Sequence, residues 1–406
     1  MKSFFTIGVG HRWVLHTRWL VFSRHVLVLG IFLLLNLYPH SVFGTELGIP
    51  YKVIIQGIDD PKLLNLLQSV SDAMSLRKEK SPATLGLLRR RVDRDIGQFL
   101  KALKSEGYYG GRVTGDINAK TDPVQVTFQV NPGPAYPLKS VDIRMTQEDT
   151  ATKEKPPDVA ELGLTLGQAA KGRTILNGEA ALLRHFKKRG FALTQLTDRR
   201  VEVNHREKSV AVTYQIDLGQ RARFGNTEIT GLQSIDETFL RSTIPWKKGD
   251  PFNIQLLEDA HTRLIATGLF STVRVSQGET LQEEGFLLVN IIVTERKHRS
   301  ISAGVSYMTD ERAGANISWA HRNLLGRGER LKLDPAVSGI SLSAEGTFLK
   351  PQFLHNDQTL RLNLRFADET TDAFDSKNIS SAVLADRKLT KKITVGAGLA
   401  HKFRSE

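Results

Sequence analysis

Apolar and polar positions follow two rhythms along this chain, and the change between them falls near Arg296. Before it, short strand-like runs alternate with stretches of helical period. After it, strict two-residue alternation takes over. The stretch Arg223–Arg296 shows the first rhythm most fully. A strand-like run, Thr227-Glu228-Ile229-Thr230, closes at Gly231-Leu232. Two helical patterns follow, split by Ile244–Phe252, and the second sets Leu257, Ala260, Leu264 and Ile265 on one face. Gly268 is placed to stop that helix. Strands around Val273-Arg274-Val275 and over Phe286–Val293, separated by Gln282-Glu283-Glu284-Gly285, complete a βααββ order.

Two earlier stretches repeat it. The first opens at Tyr51–Ile58 and puts Leu88, Val92, Ile96, Phe99, Leu100 and Leu103 on a helix face. It stops at Gly107-Tyr108-Tyr109 and continues into strands at Arg112–Asn118 and Val124–Val130. The second opens at Leu138–Met145 and carries a polar insertion, Thr146–Asp158. Its helix face is Leu176, Ala180, Leu183 and Phe186, it stops at Gly190-Phe191, and strands at Thr194–Val203 and Ser209–Asp217 finish it. Gly107, Gly190 and Gly268 recur about 80 residues apart, each with an aromatic residue within two positions, a spacing of tandem small domains rather than solenoid turns. Three strands per unit leave sheet edges open. An open edge is an aggregation liability, and also a template for an extended peptide.

Beyond Arg296, Ile301, Ala303, Val305 and Tyr307 alternate with Ser302, Gly304 and Ser306. Similar runs surround Ile317, Leu333, Leu342, Leu362, Ile379 and Val395, making seven. Period two over about ten residues, with polar turns between, is the pattern of a transmembrane β-barrel. A soluble antiparallel sandwich alternates in the same way, but an export signal at the start of the chain favours the membrane. Val305, Trp319, Leu333, Leu362 and Val395 are expected to face lipid, and Arg361 and Arg365 the interior. Seven strands are fewer than the roughly eight of the smallest bacterial barrels, so residues 298–406 are expected to be the first strands of an incomplete barrel. The candidate domains are thus 1–44, 45–134, 135–220, 221–297 and 298–406.

The export signal lies in residues 1–44, which carry Lys2, Arg12, Arg18 and Arg24 and no acid. The apolar run Val26–Leu37 falls short of the roughly 20 residues of a membrane-spanning helix. Val42-Phe43-Gly44 suits a signal peptidase, with cleavage expected between Gly44 and Thr45. The formal charge of +13 favours anionic surfaces without choosing among them. With no cysteine, disulfides and Cys-based metal sites are excluded.

Chemistry-bearing motifs are scarce. There is no G-x-S-x-G, H-E-x-x-H or P-loop pattern. The eleven histidines are scattered, and His261 is expected to be a half-buried core residue. Arg89-Arg90-Arg91 with Arg94 lies on an amphipathic helix without interleaved aromatics, which reads as a solvated face rather than a nucleic-acid contact. No catalytic, cofactor-binding or metal-binding residue is expected, and no nucleic acid as partner.

Three βααββ units ahead of barrel-like strands resemble the outer-membrane assembly-factor superfamily that includes BamA and TamA, whose periplasmic units are called POTRA domains. The resemblance rests on Phe224–Gly231, Gly249-Asp250-Pro251-Phe252, Gly268-Leu269-Phe270, the turn Asn323-Leu324-Leu325-Gly326-Arg327-Gly328-Glu329, and Lys350-Pro351-Gln352-Phe353. It covers nearly everything after residue 50. It implies a 16-stranded type of barrel in the outer membrane, POTRA-like domains in the periplasm, no enzymatic activity and no cofactor. Three units point to the TamA-like branch, which implies unfolded outer-membrane or autotransporter polypeptides, a TamB-like inner-membrane-anchored protein and outer-membrane lipid as partners. A BamA-like factor, a two-partner-secretion transporter and an inactive barrel fragment are the alternatives. Arg189-Gly190-Phe191 matches the family's Arg-Gly-aromatic barrel motif only by coincidence, since it stands at a helix stop. Within this reading Ile301, Ser302, Ala303, Gly304, Val305, Ser306 and Tyr307 form the candidate client-pairing edge strand, with Gly304 loosening it.

Overall fold

The computed structural model describes residues 48–146, 154–309, 312–371, 375–390 and 392–405. The expected cleavage site at Gly44 and Thr45 lies outside the described residues, as do the apolar run before it and the middle of the insertion in the second repeat.

One compact unit comprises the described residues up to Phe99 together with Val113–Val130. Its sheet has β1 (Tyr51–Gln56), β2 (Arg112–Asn118) and β3 (Val124–Asn131) in the order β1-β3-β2, with β1 parallel to β3. Helix α1 (Pro61–Val70) starts where the Asp60 carboxylate accepts from Lys62 N, with Pro61 in the first turn. A short α2 (Asp72–Ser75) and a long α3 (Leu85–Ser105) follow. The α3 face buries Leu88, Val92 and Phe99, and the Phe99 ring lies 4.8 Å from that of Phe128. Asp95 sits on the same face, fully buried, accepting from Ser71 Oγ at 2.6 Å and from the Asp72 and Ala73 amides at 2.9 Å each. It thereby caps α2 from across the unit. Arg94 pairs with Asp72 and Arg91 donates to the Tyr51 hydroxyl, which spends part of the arginine run on structure.

The other compact unit holds everything else described. Its first sheet joins β4 (Leu138–Thr146), β5 (Gln195–Asn204) and β6 (Ser209–Asp217) in the order β4-β6-β5. A single 3-10 turn, Val159–Leu162, stands where the other repeats have a helix, and α4 (Gly172–Lys188) follows. The expected face of α4 is out of phase. The helix buries Ile175, Gly178, Leu182 and Phe186, while Leu176 is 51 % exposed. The cause is Gly178, where a Cβ would stand 2.8 Å from Leu164 Cδ1. A glycine chosen for close packing does not register as apolar in a periodicity count.

The third sheet joins β7 (Arg223–Thr230), β8 (Phe270–Leu281) and β9 (Phe286–Glu295) in the order β7-β9-β8, with α5 (Glu237–Thr243) and α6 (Ile254–Ala266) packed on it. All three small sheets therefore share one topology, with the last strand in the centre. Leu257, Ala260 and Leu264 are buried as expected; Ile265 is exposed, and so is His261, which follows Ala260 by one residue and turns to solvent rather than into the core.

The helix-stopping glycines behave alike. Gly107, Gly190 and Gly268 all take positive φ, and Phe191 and Phe270 behind two of them are buried. A second repeated device was not anticipated. Gly57 and Gly231 end the first strands of the first and third sheets at φ of 86° and 94°. A Cβ there would lie 2.1 Å from Val130 O and 1.9 Å from Val293 O respectively, so the neighbouring strand's carbonyl occupies the space.

After β9 the chain passes directly into β10 (Arg299–Met308), the first strand of a seven-stranded antiparallel sheet. The others are β11 (Arg312–His321), β12 (Arg330–Val337), β13 (Ser341–Pro351), β14 (Gln358–Thr370), β15 (Asp375–Lys388) and β16 (Thr394–Ser405), paired in chain order. The register decides what shares a face. Ile301 stands opposite Trp319, Trp319 opposite Leu333, Leu333 opposite Gly346, and Gly346 opposite Leu364. Leu362 stands opposite Val383, and Val383 opposite Leu399. The result is one apolar face that includes Val305, Trp319, Leu333, Leu362 and Val395. Arg361 and Arg365 lie on the opposite face, with Ser302, Ser306, Asn316, Glu345 and Asn363. The sheet is not closed among the described residues.

Candidate polypeptide-pairing site

Strand β10 is the outermost strand of the large sheet. It pairs with β11 over ten positions, from Arg299 opposite His321 to Met308 opposite Arg312, and among the described residues its other edge is unpaired. Ile301 is 75 %, Val305 90 % and Tyr307 80 % exposed, so the apolar face of this strand is uncovered along its length. The polar face is built from small residues for a reason the structure makes visible. A Cβ on Gly304 would meet Asn316 Oδ1 at 2.7 Å, and one on Gly314 would meet Ser306 Oγ at 2.8 Å. Each glycine makes room for its cross-strand partner's polar side chain. All seven expected residues, Ile301 to Tyr307, thus lie on one continuous edge, which offers backbone N–H and C=O groups to an added strand.

What holds this edge in place is the junction with the third small sheet. The Glu295 carboxylate, at the end of β9, accepts from the amides of Gln233 (2.7 Å), Ser234 (3.0 Å) and Ile235 (3.0 Å) and from Ser234 Oγ (2.7 Å). His298 Nε2 lies 3.1 Å from the same carboxylate. Burial by itself would raise this carboxyl, but the Gln233 amide, the Ser234 hydroxyl, His298 and the Ser234 amide outweigh it and leave the pKa at about 2. A buried anion thereby ties the loop before α5 to the strand that leads into β10.

The turn Asn323–Glu329 closes the junction from the other side. Asn323 Nδ2 donates to Ser234 O at 3.1 Å, and its Oδ1 accepts from Gly328 N at 2.9 Å. Asp236 caps α5 through Thr238 N at 2.8 Å and pairs with Arg327 at 3.1 Å. The hydrogen bonds from Thr238, followed by Arg327, hold the Asp236 carboxyl below its ordinary range. Gly328 is required by proximity, since a Cβ there would come within 3.2 Å of both Leu269 and Phe239. The next turn docks on the other end of α5. Gln352 accepts from Ser242 Oγ at 2.8 Å and donates to Thr243 Oγ1 at 3.1 Å, and Asn356 Nδ2 donates to Ser242 O at 2.9 Å. Arg330 donates to the Thr267 carbonyl.

The remaining motif, Gly249-Asp250-Pro251-Phe252, builds the third sheet's own core. Gly249 N donates to Phe224 O at 2.8 Å and Phe224 N to Asp250 O at 2.9 Å, which lays this loop along the start of β7. The Phe224 ring then stacks on Trp246 at 4.8 Å and contacts Phe252 at 5.2 Å. Sequence reasoning found the turns and the edge strand but missed Glu295, Ser234, Asp236 and Ser242. The one available signal was the Asp236-x-Thr238 cap pattern ahead of a short helix. Arg189-Gly190-Phe191 stands at the end of α4, with Phe191 buried, and takes no part in the site. Among the described residues no group of three or more His, Asp or Glu side chains is arranged to hold a metal ion.

The geometry defines a class: POTRA-like α/β domains leading into an antiparallel sheet of outer-membrane barrel type. Comparison with known proteins agrees. Residues 222–296 match the POTRA family, described as "Surface antigen variable number repeat". Over 165 residues the chain is 26 % identical to the outer membrane protein assembly factor BamA of Buchnera aphidicola, covering 41 % of this chain and 26 % of that protein. Its fold is similar to that of Haemophilus ducreyi BamA lacking POTRA domains 1–3, with a TM-score of 0.55 at 18 % identity, over 66 % of this chain and 51 % of that one. CdiB from Acinetobacter baumannii gives a TM-score of 0.36 at 14 % identity, over 67 % and 55 % of the two chains. The chain therefore spans about a quarter of the curated relative and about half of the solved BamA chain. Residues 222–296 are therefore a POTRA domain, and over about two thirds of the chain the fold is similar to that of BamA.

Proposed function

We propose that this chain is an assembly or translocation factor of the bacterial outer membrane, which guides and inserts β-barrel or autotransporter polypeptides without enzymatic chemistry. The observation that carries the reading is β10. It is an edge strand with an apolar face, and it is anchored through Glu295 and the Asn323–Glu329 turn to the POTRA-like sheet that precedes it. An amide left unpaired inside a bilayer costs several kcal/mol, so the edge favours any strand that can complete it. Residues 45–134, 135–220 and 221–297 form three POTRA-like domains in the periplasm, and residues 298–406 contribute strands to the membrane. Three such domains support the TamA-like branch, with a TamB-like inner-membrane-anchored partner and outer-membrane lipid. The BamA match over 165 residues supports a BamA-like role as the second reading.

Site-specific crosslinking from positions 302, 304 and 306 to the terminal strand of a stalled outer-membrane client tests the proposal. Crosslinks from these positions are expected. Crosslinks from the third POTRA-like domain alone, under conditions that trap assembly, would overturn the role of β10. Co-purification with a TamB-like protein separates the two readings.

A further inference from the structure

The end of the large sheet nearest the third POTRA-like domain carries a feature that client pairing does not use. A cleft of 750 Å³ opens there, with Lys297, His298, Arg299, His321, Leu324 and Leu325 in its walls. Lys297 and Arg299 are exposed, and the His298 and His321 rings stack with centroids 6.2 Å apart. Arg299 and His321 stand opposite each other across β10 and β11, on the apolar face, one step beyond the Ile301–Trp319 pair. The carboxylates nearest the cleft are already engaged. Glu295 is committed to three backbone amides, and Asp236 to Thr238 and Arg327.

The same end of the apolar face continues the theme. Lys350 on β13 and Arg387 on β15 lie at this rim, Arg387 paired with Asp357. At the opposite end the face finishes in Tyr307, Val337 and Leu342, and its one described charged pair, Lys377 with Asp368, is balanced. The positive rim is therefore one-sided. Apolar side chains project beside it: Leu325 is 69 % exposed in the cleft wall, and Leu354 is 78 % exposed on the next turn. Basic groups and bare leucines at one end of an apolar sheet face are what a headgroup boundary selects.

We propose that this cleft seats the headgroup of an anionic glycerophospholipid from the periplasmic leaflet. Lys297 and Arg299 meet the phosphate, Leu324 and Leu325 meet the glycerol end of the acyl chains, and the chains continue along Ile301 and Trp319. Two features select this occupant: charge complementarity with Lys297 and Arg299, for which no ion pair is found among the described residues, and continuity of the cleft with the apolar face. The inference rests on the membrane-spanning reading of the sheet.

The test uses the full chain in detergent, titrated with dioctanoyl-phosphatidylglycerol, dioctanoyl-phosphatidylcholine or inorganic phosphate, with bound lipid counted by native mass spectrometry. Trp319, whose ring lies 6.2 Å from that of His321, reports the same site by fluorescence. Each basic group beside an anionic surface gives about a fivefold gain, so the Lys297→Gln/Arg299→Gln variant is expected to bind phosphatidylglycerol about 25-fold more weakly. Leu325→Ser should weaken lipid binding and leave phosphate binding alone, and an Arg89→Gln/Arg90→Gln variant should behave as the parent. Retained hydrogen-exchange protection of the Gln233–Ile235 amides in each variant shows that the third domain is folded. Equal affinity for phosphatidylcholine, displacement of lipid by millimolar phosphate, or unchanged binding by the double variant would each overturn the proposal. Membrane sedimentation of the chain tests the underlying reading separately: a chain that enters membranes but shows no headgroup preference fails only the lipid site.

Discussion

Glu295 offers a prediction whose size can be worked out from the structure. Its carboxyl sits at about 2 instead of the ordinary 4.5, and one unit corresponds to about 1.4 kcal/mol. Ionised Glu295 therefore contributes about 3 kcal/mol to the junction between the third POTRA-like domain and β10. The side chain is 6 % exposed, so water screens little of this. Glu295→Gln keeps the shape and one acceptor oxygen but turns an NH₂ toward groups that also donate. The expected loss is about 2 kcal/mol, somewhat below the full value. Hydrogen exchange read by mass spectrometry on the Gln233–Ile235 stretch measures this directly, because these amides are the ones the carboxylate holds. Exchange should speed up about 30-fold there, while β5 and β6 stay unchanged. The sign with pH follows from the depressed value. The folded carboxyl lies below its unfolded counterpart, so the contribution is complete above about pH 4.5 and is lost as pH falls toward 2. Protection in the variant within threefold of the parent would refute the assignment. So would a loss of protection spread evenly over β5, β6 and the junction, since that would make the effect global.

Three further outcomes are expected. Gly231→Ala should destabilise the third domain by more than about 2 kcal/mol, because a Cβ would lie 1.9 Å from Val293 O at a φ of 94°; Gly97→Ala, inside α3 with nothing within 4 Å of its Cβ, should stabilise by about 0.5–1 kcal/mol, and urea midpoints compare the two. Nitroxide labels at 305, 333, 362 and 395 in membrane-inserted protein should collide with lipid-soluble oxygen, and labels at 361 and 365 with a water-soluble relaxant; the reverse pattern would mean that the sheet faces the other way.

Much of this architecture was legible in the order of residues because its signals are local. A helix that stops at Gly107, Gly190 or Gly268 is written in the few residues around the stop, since a left-handed backbone there favours glycine over its neighbours. The apolar face of the large sheet is written in period-two alternation, because successive side chains on a strand point to opposite sides. That is why Val305, Trp319, Leu333, Leu362 and Val395 could be grouped before any pairing was known. The edge position of Ile301–Tyr307 follows from its being the first strand of a meander.

What remained hidden depends on residues far apart in the chain. The buried face of α4 was misphased because Gly178 packs on Leu164, and only that contact shows why a glycine belongs inside. Asp95 lies on a buried helix face because it caps α2 some twenty residues earlier, and a carboxylate there looks like a surface residue until its donors are located. Glu295 is the clearest case. Its partners Gln233, Ser234 and Ile235 stand about sixty positions away, and nothing in their composition marks them as an anion site. Backbone amides carry no sequence signature, so a site made of them exists only once the chain has folded and their directions converge.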